Sequence, residues 1–210
     1  MAFPPQNLVH TLGETISHQG IRQLRIAETE KYAHVTYFFN GGIEIPFPLE
    51  ERCLVPSTRE VPTYDLKPAM SAPEVTLEVI KRIKSGHYGF MVLNYANLDM
   101  VGHTGNLDAA IKACEVVDTC LRQVISTVSD QGGIVILTAD HGNAEEMIDR
   151  KHGGPHTAHT SANPVPFLLI DPERPKVGVK DGILADVAPT ILTLLNIPIP
   201  EEMTGVCLLK

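Results

Sequence analysis

Three short apolar runs predict β-strands that are buried on both faces. They cover residues 88–95, 133–140 and 165–171, where apolar side chains follow one another without alternating with polar ones. Between the first two runs, apolar side chains recur every three or four positions, as on one face of a helix: Leu107, Ile111, Cys114, Val117, Leu121, Val124 and Val128. Asn106 can cap the start of this helix, and a glycine pair can end it. This order of strand, helix and strand predicts a parallel crossover unit.

Weaker patterns extend this plan toward both ends of the chain. Helices are predicted in four further segments, 7–18, 29–38, 74–83 and 186–195, and a short strand is predicted near 24–27. Pro73 suits the first turn of the third of these helices, and Asp186 can cap the fourth. Residues 40–72 contain five of the 16 Pro and no clear helix, so a long surface connection or a small antiparallel excursion is expected there. The predicted fold class is α/β, with a mostly parallel sheet and helices on both faces.

Composition narrows the class of protein. The chain has 210 residues, 43% of them hydrophobic and 20% charged, which is enough to bury a core and excludes a disordered polyelectrolyte. Its net charge of −8 argues against a dedicated nucleic-acid-binding protein, because phosphate contacts require clustered Lys and Arg. No run reaches the ~18 apolar residues of a membrane span. The four Cys form no C-x-x-C pair, so reduced thiols and a cytoplasmic location are expected.

Candidate metal ligands follow two of the predicted strands. Asp99 and His103 come after the first apolar run, and Asp140 and His141 come directly after the second. Ligands of α/β proteins bind where the carboxyl ends of the strands meet. Four residues apart, Asp99 and His103 share one face if their segment is helical. Carboxylate and imidazole together suit a borderline divalent cation such as Mn²⁺ or Zn²⁺.

A third group of candidates lies in a loop rich in Gly and Pro, which carries His152, His156 and His159. Each group alone has a simpler explanation: a helix cap with a surface histidine, a capping turn, or a solvated loop. Their joint occurrence at strand ends of one predicted sheet favours a shared metal centre. The absence of Cys from the set favours a catalytic site over a structural one, because structural zinc usually recruits thiolates.

The motifs around these residues resemble those of a known family. NLDMVGHTG at 97–105, TADHGNAE at 138–145 and PHTAHT at 155–160 are similar to segments of the cofactor-independent phosphoglycerate mutases, which belong to the alkaline phosphatase superfamily. Residues 25–42 and 182–191 resemble the same family. The similarity covers essentially the whole chain.

The resemblance implies a function and a set of ligands. It implies interconversion of 3-phosphoglycerate and 2-phosphoglycerate in glycolysis, through a phosphoserine intermediate and with two Mn²⁺ ions. Asp99, His103 and His159 would bind one ion, and Asp140 and His141 would form part of the site for the other. Lys31 would contact the phosphoryl group, although on its own it would be interpreted as a solvated charge on a helix surface. His156 would contact the metal ligands without binding an ion itself.

The chain also departs from the family. Members are more than twice as long, and their nucleophilic Ser, a further Asp ligand and an inserted substrate domain precede the part that resembles this chain. Residues 1–210 are therefore expected to form the carboxyl-terminal segment of the metal-binding domain, with an incomplete sheet, a second metal site that lacks ligands, and no mutase activity alone. No Ser of the chain stands in a strand-to-helix elbow beside a metal motif, so no substitute nucleophile is expected.

Two other functions remain open from the sequence. The chain could be a free-standing metal-dependent phosphohydrolase in which water replaces the Ser, a reaction that needs only the predicted metal ligands. It could also be a non-enzymatic remnant that binds metal or a partner. An incomplete sheet would expose an apolar face and an unpaired edge, so self-association is expected in either case.

Overall fold

The main sheet has three parallel strands, with the order β2–β1–β3. A computed structural model describes residues 8–149, 153–157 and 160–210, and in it β1 spans Gln23–Glu28, β2 spans Glu50–Val55 and β3 spans Phe90–Asn94. The central strand β1 is buried at all six positions, because it has a neighbour on each side. The α/β class with a parallel sheet is confirmed.

The predicted strands β4, at Val135–Thr138, and β5, at Phe167–Ile170, form a separate antiparallel pair. The prediction that the three apolar runs pair in one mostly parallel sheet is therefore wrong, since β4 does not pair with β3 within the described residues. Every residue of β3 and β4 is only partly buried, although both strands are apolar. Apolar runs identify strands, but they do not specify which strands are neighbours.

Within the part of the chain that the structure describes, six α-helices surround the strands. They are α1 at Leu12–His18, α2 at Thr29–Ala33, α3 at Ala72–Lys84, α4 at Asn97–Gly102, α5 at Leu107–Asp130 and α6 at Val187–Leu194. The helix predicted between the first two apolar runs is α5, and the Asn106 side chain caps it by accepting a 3.1 Å bond from the Ala109 amide. The helix predicted over 29–38 is also confirmed, because α2 continues into a π-helical turn at His34–Phe38.

Two helix predictions need correction. The helix predicted over 7–18 begins only at Leu12, although residue 7 itself lies outside the described residues. Asp186 precedes α6 but does not cap it with its side chain. Its carboxylate accepts instead from the amides of Ile183 and Val206, at 2.8 and 2.7 Å, and so joins the chain before α6 to the chain after it.

Helices cover both faces of the main sheet. On one face, α3 and α5 bury the apolar side of β1, with Leu24, Ile26, Val75, Val79 and Val124 at the centre. On the other face, α1 and α6 form a second cluster: Leu12, Ile16, Leu192 and Ile197. No helix within the described residues is long and apolar enough to cross a membrane.

Residues 40–72 contain the edge strand β2 rather than an antiparallel excursion. β2 runs parallel to β1, with Cys53 opposite Ile26. Three charged residues open this strand, and two of them, Glu50 and Arg52, pair at 2.6 Å along it. An edge strand tolerates such charges, and for this reason the apolar pattern missed it.

After β2, residues 56–71 form a loop whose two ends meet. The Ser71 hydroxyl donates to the Pro56 carbonyl at 2.9 Å and closes the neck. The end of β1 holds the loop, since Glu28 accepts from the Ser57 hydroxyl and Glu30 accepts from the Tyr64 hydroxyl, at 2.9 and 2.7 Å. The loop is therefore attached beside the strand end that carries Lys31.

Candidate metal centre

The parallel register of β1 and β3 brings two candidate residues together. β1 ends at Glu28 and leads into α2, which carries Lys31, whereas β3 ends at Asn94 and leads into α4, which carries Asp99. The carboxyl ends of neighbouring parallel strands lie at the same edge of a sheet. The Lys31 ammonium accordingly lies 2.6 Å from Asp99 Oδ2, with the two side chains 6% and 17% exposed.

Asp99 is the centre of the cluster. While Oδ2 pairs with Lys31, Oδ1 lies 3.0 Å from Nε2 of His103, one turn further along the chain. Nδ2 of Asn143 also donates to Oδ1, at 2.9 Å. Burial acts to raise the pKa of Asp99, but the hydrogen bond and charge of Lys31, with contributions from Asn143 and His103, outweigh it and lower the pKa below its ordinary value. Asp99 is therefore a carboxylate at neutral pH.

The loop after β4 supplies the second pair of candidates. His141 Nε2 lies 3.8 Å from Asp99 Oδ1 and 3.8 Å from Asp140 Oδ2. The Asp140 side chain is 54% exposed, so it faces solvent more than any other member of the cluster. Although β4 belongs to the other sheet, the structure brings its motif to the motif that follows β3, as the sequence predicted.

The remaining predicted residues are placed less fully. His159 and His152 lie outside the described residues. Nδ1 of His156 lies 3.1 Å from the Glu146 carbonyl, which attaches the loop at 153–157 to the short 3₁₀ turn at Ala144–Glu146. Five of the six predicted site residues thus lie together, and the position of the sixth remains a prediction.

The donor types suit a divalent cation, although the described residues alone do not complete a site. Carboxylate oxygens of Asp99 and Asp140 and imidazole nitrogens of His103 and His141 are ligands of borderline metals. Within the described residues, no group of three or more His, Cys, Asp or Glu is arranged as a ligand set. Nδ1 of His103 is buried without a hydrogen-bond partner, and Lys31 takes one oxygen of Asp99. The cluster fits a metal centre by chemistry, and further ligands are needed to close it.

Sequence reasoning missed three neighbours of the cluster. His34, in the π-helical turn, lies near the charges of the cluster. Burial, followed by the charge of Lys31, lowers the pKa of His34, and the carboxylates of Asp140 and Asp99 oppose this shift only in part. Asn143 contacts Asp99 directly, and Glu145 binds the Asn143 amide at 2.7 Å. Asn143 and Glu145 stand inside the TADHGNAE motif, but nothing in the spacing distinguishes a residue that supports a ligand from the ligand itself.

A cleft opens beside His103. It has a volume of about 510 Å³ and is lined by the tip of the 56–71 loop and the end of α4, including Tyr64, Asp65, Met100 and Thr104. Burial, and after it the hydrogen bond to the Glu30 carboxylate, raises the pKa of Tyr64 to about 12. Tyr64 is therefore a neutral hydrogen-bond donor across the physiological range, and its bond to Glu30 attaches one wall of the cleft to α2.

Comparison with known proteins agrees with this geometry. The sequence model of the Metalloenzyme superfamily matches residues 2–199. The 2,3-bisphosphoglycerate-independent phosphoglycerate mutase of Syntrophotalea carbinolica is 59% identical over 210 residues, which are all of this chain and 40% of that protein. The protein of the same name from Clostridium novyi is 56% identical over 211 residues and is matched over 41% of its length.

A solved structure has a closely similar fold. The phosphoglycerate mutase of Leishmania mexicana, crystallised at low cobalt concentration, superposes with a TM-score of 0.89 at 32% sequence identity. The superposition covers 99% of this chain and 40% of that one. The chain therefore spans about two fifths of the length of the relatives that it matches.

Proposed function

Because the chain belongs to the Metalloenzyme superfamily, we propose that it forms part of the metal centre of a phosphoglycerate mutase that interconverts 3-phosphoglycerate and 2-phosphoglycerate. The observation that carries the proposal is the convergence of Lys31, His103 and His141, from three strand ends, on the Asp99 carboxylate. Asp140 lies beside His141 at the edge of this cluster. The names of the relatives supply the reaction. We assign this reaction to glycolysis and, with it, the protein to the cytoplasm.

We assign the two cations of the proposed centre to different residues. Asp99 and His103 would bind one Mn²⁺ together with His159, and Asp140 and His141 would contribute to the site for the other. Bound divalent cations offset the charge of phosphoryl oxygens and lower the pKa of an attacking hydroxyl. Lys31 is nearly buried beside Asp99 and adds a fixed positive charge that suits a phosphoryl oxygen.

We further propose that residues 1–210 are the carboxyl-terminal segment of the metal-binding domain, and that the rest of the longer protein supplies the nucleophilic Ser and the substrate domain. The exposure of β3 and β4 supports this proposal. Both strands are apolar yet partly exposed at every position, whereas β1 is completely buried. A neighbouring segment that covered β3 and β4 would bury this surface.

The same surface predicts that the isolated chain associates with itself. An unpaired strand edge offers backbone donors and acceptors to another chain, and exposed apolar strands add the driving force. Sedimentation equilibrium of the purified chain should show species larger than 22.9 kDa. A single monomeric species at all concentrations would contradict the prediction.

Complementation tests the proposed function. The chain alone, with 3-phosphoglycerate and Mn²⁺, is expected to form no 2-phosphoglycerate. Mixed with the remaining part of the Syntrophotalea carbinolica mutase, it is expected to restore the interconversion, and the His103→Ala chain is expected not to. If wild-type and His103→Ala chains restored activity equally, the assigned metal centre would be wrong. Release of inorganic phosphate by the chain alone would favour the phosphohydrolase instead.

A further inference from the structure

Asn143 joins the two parts of the candidate centre: the segment after β3, which carries Asp99, and the loop after β4, which carries Asp140 and His141. It is not among the predicted ligands. It is 4% exposed, and its Nδ2 donates both to Oδ1 of Asp99, at 2.9 Å, and to the Asp99 backbone carbonyl, at 3.3 Å. One amide therefore binds the carboxylate and the helix backbone that carries it. The Oδ1 atom of Asn143 is buried and accepts no hydrogen bond.

Glu145 fixes Asn143 from the other side. Its Oε2 accepts from the Asn143 backbone amide at 2.7 Å, and its Oε1 accepts from the Ser161 hydroxyl and, at 3.0 Å, from Nδ2 of Asn163. The Ser161 amide also donates to the Gly142 carbonyl at 2.8 Å. Glu145 thus ties the loop that bears Asp140 and His141 to the segment at 161–163, which follows His159 in the sequence.

Two glycines provide the space for these contacts. A Cβ atom at Gly102 would collide with the Asn143 side chain, and one at Gly142 would collide with both Glu145 and Ser161. Neither glycine has a φ angle in the left-handed region. Glycine at these two positions therefore allows the close approach of the Asn143 and Glu145 side chains, which a Cβ atom would prevent.

We propose that Asn143 is a positioning residue that orients the Asp99 carboxylate, and that Glu145 holds Asn143 and the loop after His159 in place. Without the amide, Lys31 would still pair with Oδ2, but Oδ1 would keep only the imidazoles of His103 and His141 as neighbours. The inference rests on the proposed function in one respect, namely that Asp99 binds a metal. Supporting residues of this kind typically change metal affinity by about 10- to 100-fold.

Metal binding by the whole chain provides the first test. Asn143→Asp keeps the shape of the side chain but faces Asp99 with an oxygen instead of a donor, and Glu145→Gln cannot accept equally at both ends. Both variants are expected to raise the dissociation constant for Mn²⁺ by about 10- to 100-fold and to change the visible spectrum of bound Co²⁺, which reports ligand geometry. Wild-type affinity and spectrum in both variants would overturn the proposal.

Asn40→Asp is the matched control. Asn40 is also fully buried, and its Nδ2 donates to a carboxylate, that of Glu50, at 2.7 Å, but it lies outside the candidate centre. The same substitution there introduces the same repulsion and a comparable loss of stability. It is expected to leave the Mn²⁺ affinity and the Co²⁺ spectrum unchanged. An equal loss of affinity in Asn40→Asp would show that Asn143 has only a structural role.

A measurement without metal separates this inference from the proposed function. In the metal-free chain, the side-chain amide NMR signals of Asn143 are expected to shift in Asp99→Asn and to stay unchanged in Asp108→Asn, at the exposed start of α5. If the wild-type chain bound no Mn²⁺, the proposed metal centre would fail, and these signals would still decide whether Asn143 holds Asp99. Signals that do not respond to Asp99→Asn would overturn the positioning role.

Discussion

The two halves of the candidate centre are built in different ways. Lys31 and Asp99 follow neighbouring parallel strands and meet at 2.6 Å in a nearly buried pair. Asp140 and His141 follow a strand of the other sheet, and Nε2 of His141 lies 3.8 Å from Oδ2 of Asp140. Backbone register sets the first half, whereas side-chain bonds through Asn143 set the position of the second. The first half should therefore withstand changes that displace the second.

The largest expected difference lies in the sheets that carry the two halves. Ile26, in β1, is fully buried, and truncation to Ala should lower the free energy of unfolding by about 4 kcal/mol, through lost burial and the cavity left behind. Leu168, in β5, is 49% exposed, so the same truncation should cost less than about 1 kcal/mol. Urea unfolding followed by circular dichroism measures both. Equal losses would mean that the two sheets form one core.

The two carboxylates should differ in the same direction. Asp99→Ala leaves Lys31 buried without its partner and should lower the free energy of unfolding of the metal-free chain by about 3 kcal/mol. Asp140→Ala removes a mostly exposed side chain and should change it by less than about 0.5 kcal/mol. Thermal unfolding in the presence of a chelator compares the two. A larger effect at Asp140 would reverse the comparison.

A methyl group at the junction tests how the halves are joined. Gly102→Ala places a Cβ against Asn143 and should cost about 2 kcal/mol, because the amide must leave Asp99 to make room. Gly178→Ala meets only the flexible Lys210 side chain and serves as the control. Urea midpoints report the cost, and the Asn143 side-chain NMR signals report the displacement. A Gly102→Ala chain with unshifted signals would show that the junction yields elsewhere.

The smallest effect is expected from acid. Burial acts to raise the pKa of Glu145, but hydrogen bonds from Ser161, Asn163 and the Asn143 amide outweigh it and lower the pKa to about 2, from an ordinary value of 4.5. A carboxylate with a lowered pKa stabilises the fold above its unfolded pKa, and this contribution is lost as pH falls toward the folded value. Between pH 4.5 and pH 2, wild type should therefore lose more stability than Glu145→Gln.

Urea midpoints across that pH range provide the measurement. Glu115→Gln, on the exposed face of α5, is the control and should follow the wild-type curve. Because Glu145 is itself exposed, the difference between the curves should be small. A Glu145→Gln curve that coincides with wild type would mean that the hydrogen bonds to Glu145 do not stabilise the second half.

The sequence predicted most where one pattern acts alone. The helix α5 combines a clear apolar period with the Asn106 cap, and both are present in the structure. The edge strand β2 was not predicted, because its charged residues interrupt the apolar pattern. The apolar runs of β3 and β4 predicted two strands, but not that these strands belong to different sheets. Pairing depends on residues far apart in the chain, so local patterns cannot specify it.

The same distinction between local pattern and long-range contact applies to the candidate centre. The motifs at Asp99, His103 and the pair Asp140 and His141 were predicted to meet, and they do. Asn143 and Glu145 were not singled out, because a supporting hydrogen bond depends on three-dimensional contact rather than on residue spacing. The role of His159 stays a prediction, since this residue lies outside the described ones.

The closed loop at 56–71 has a consequence for handling the protein. It contains almost no regular structure, and Arg59 within it is a potential trypsin site, whereas Lys67 precedes Pro68 and is therefore not cleaved by trypsin. Its neck is closed by Ser71, and Lys67 is engaged by Thr58 and Glu60, at 3.2 and 2.9 Å. Cleavage requires backbone that unfolds locally, which this loop cannot supply without releasing its ends. Limited digestion should therefore spare the loop, and a stable digestion product would keep this wall of the cleft intact.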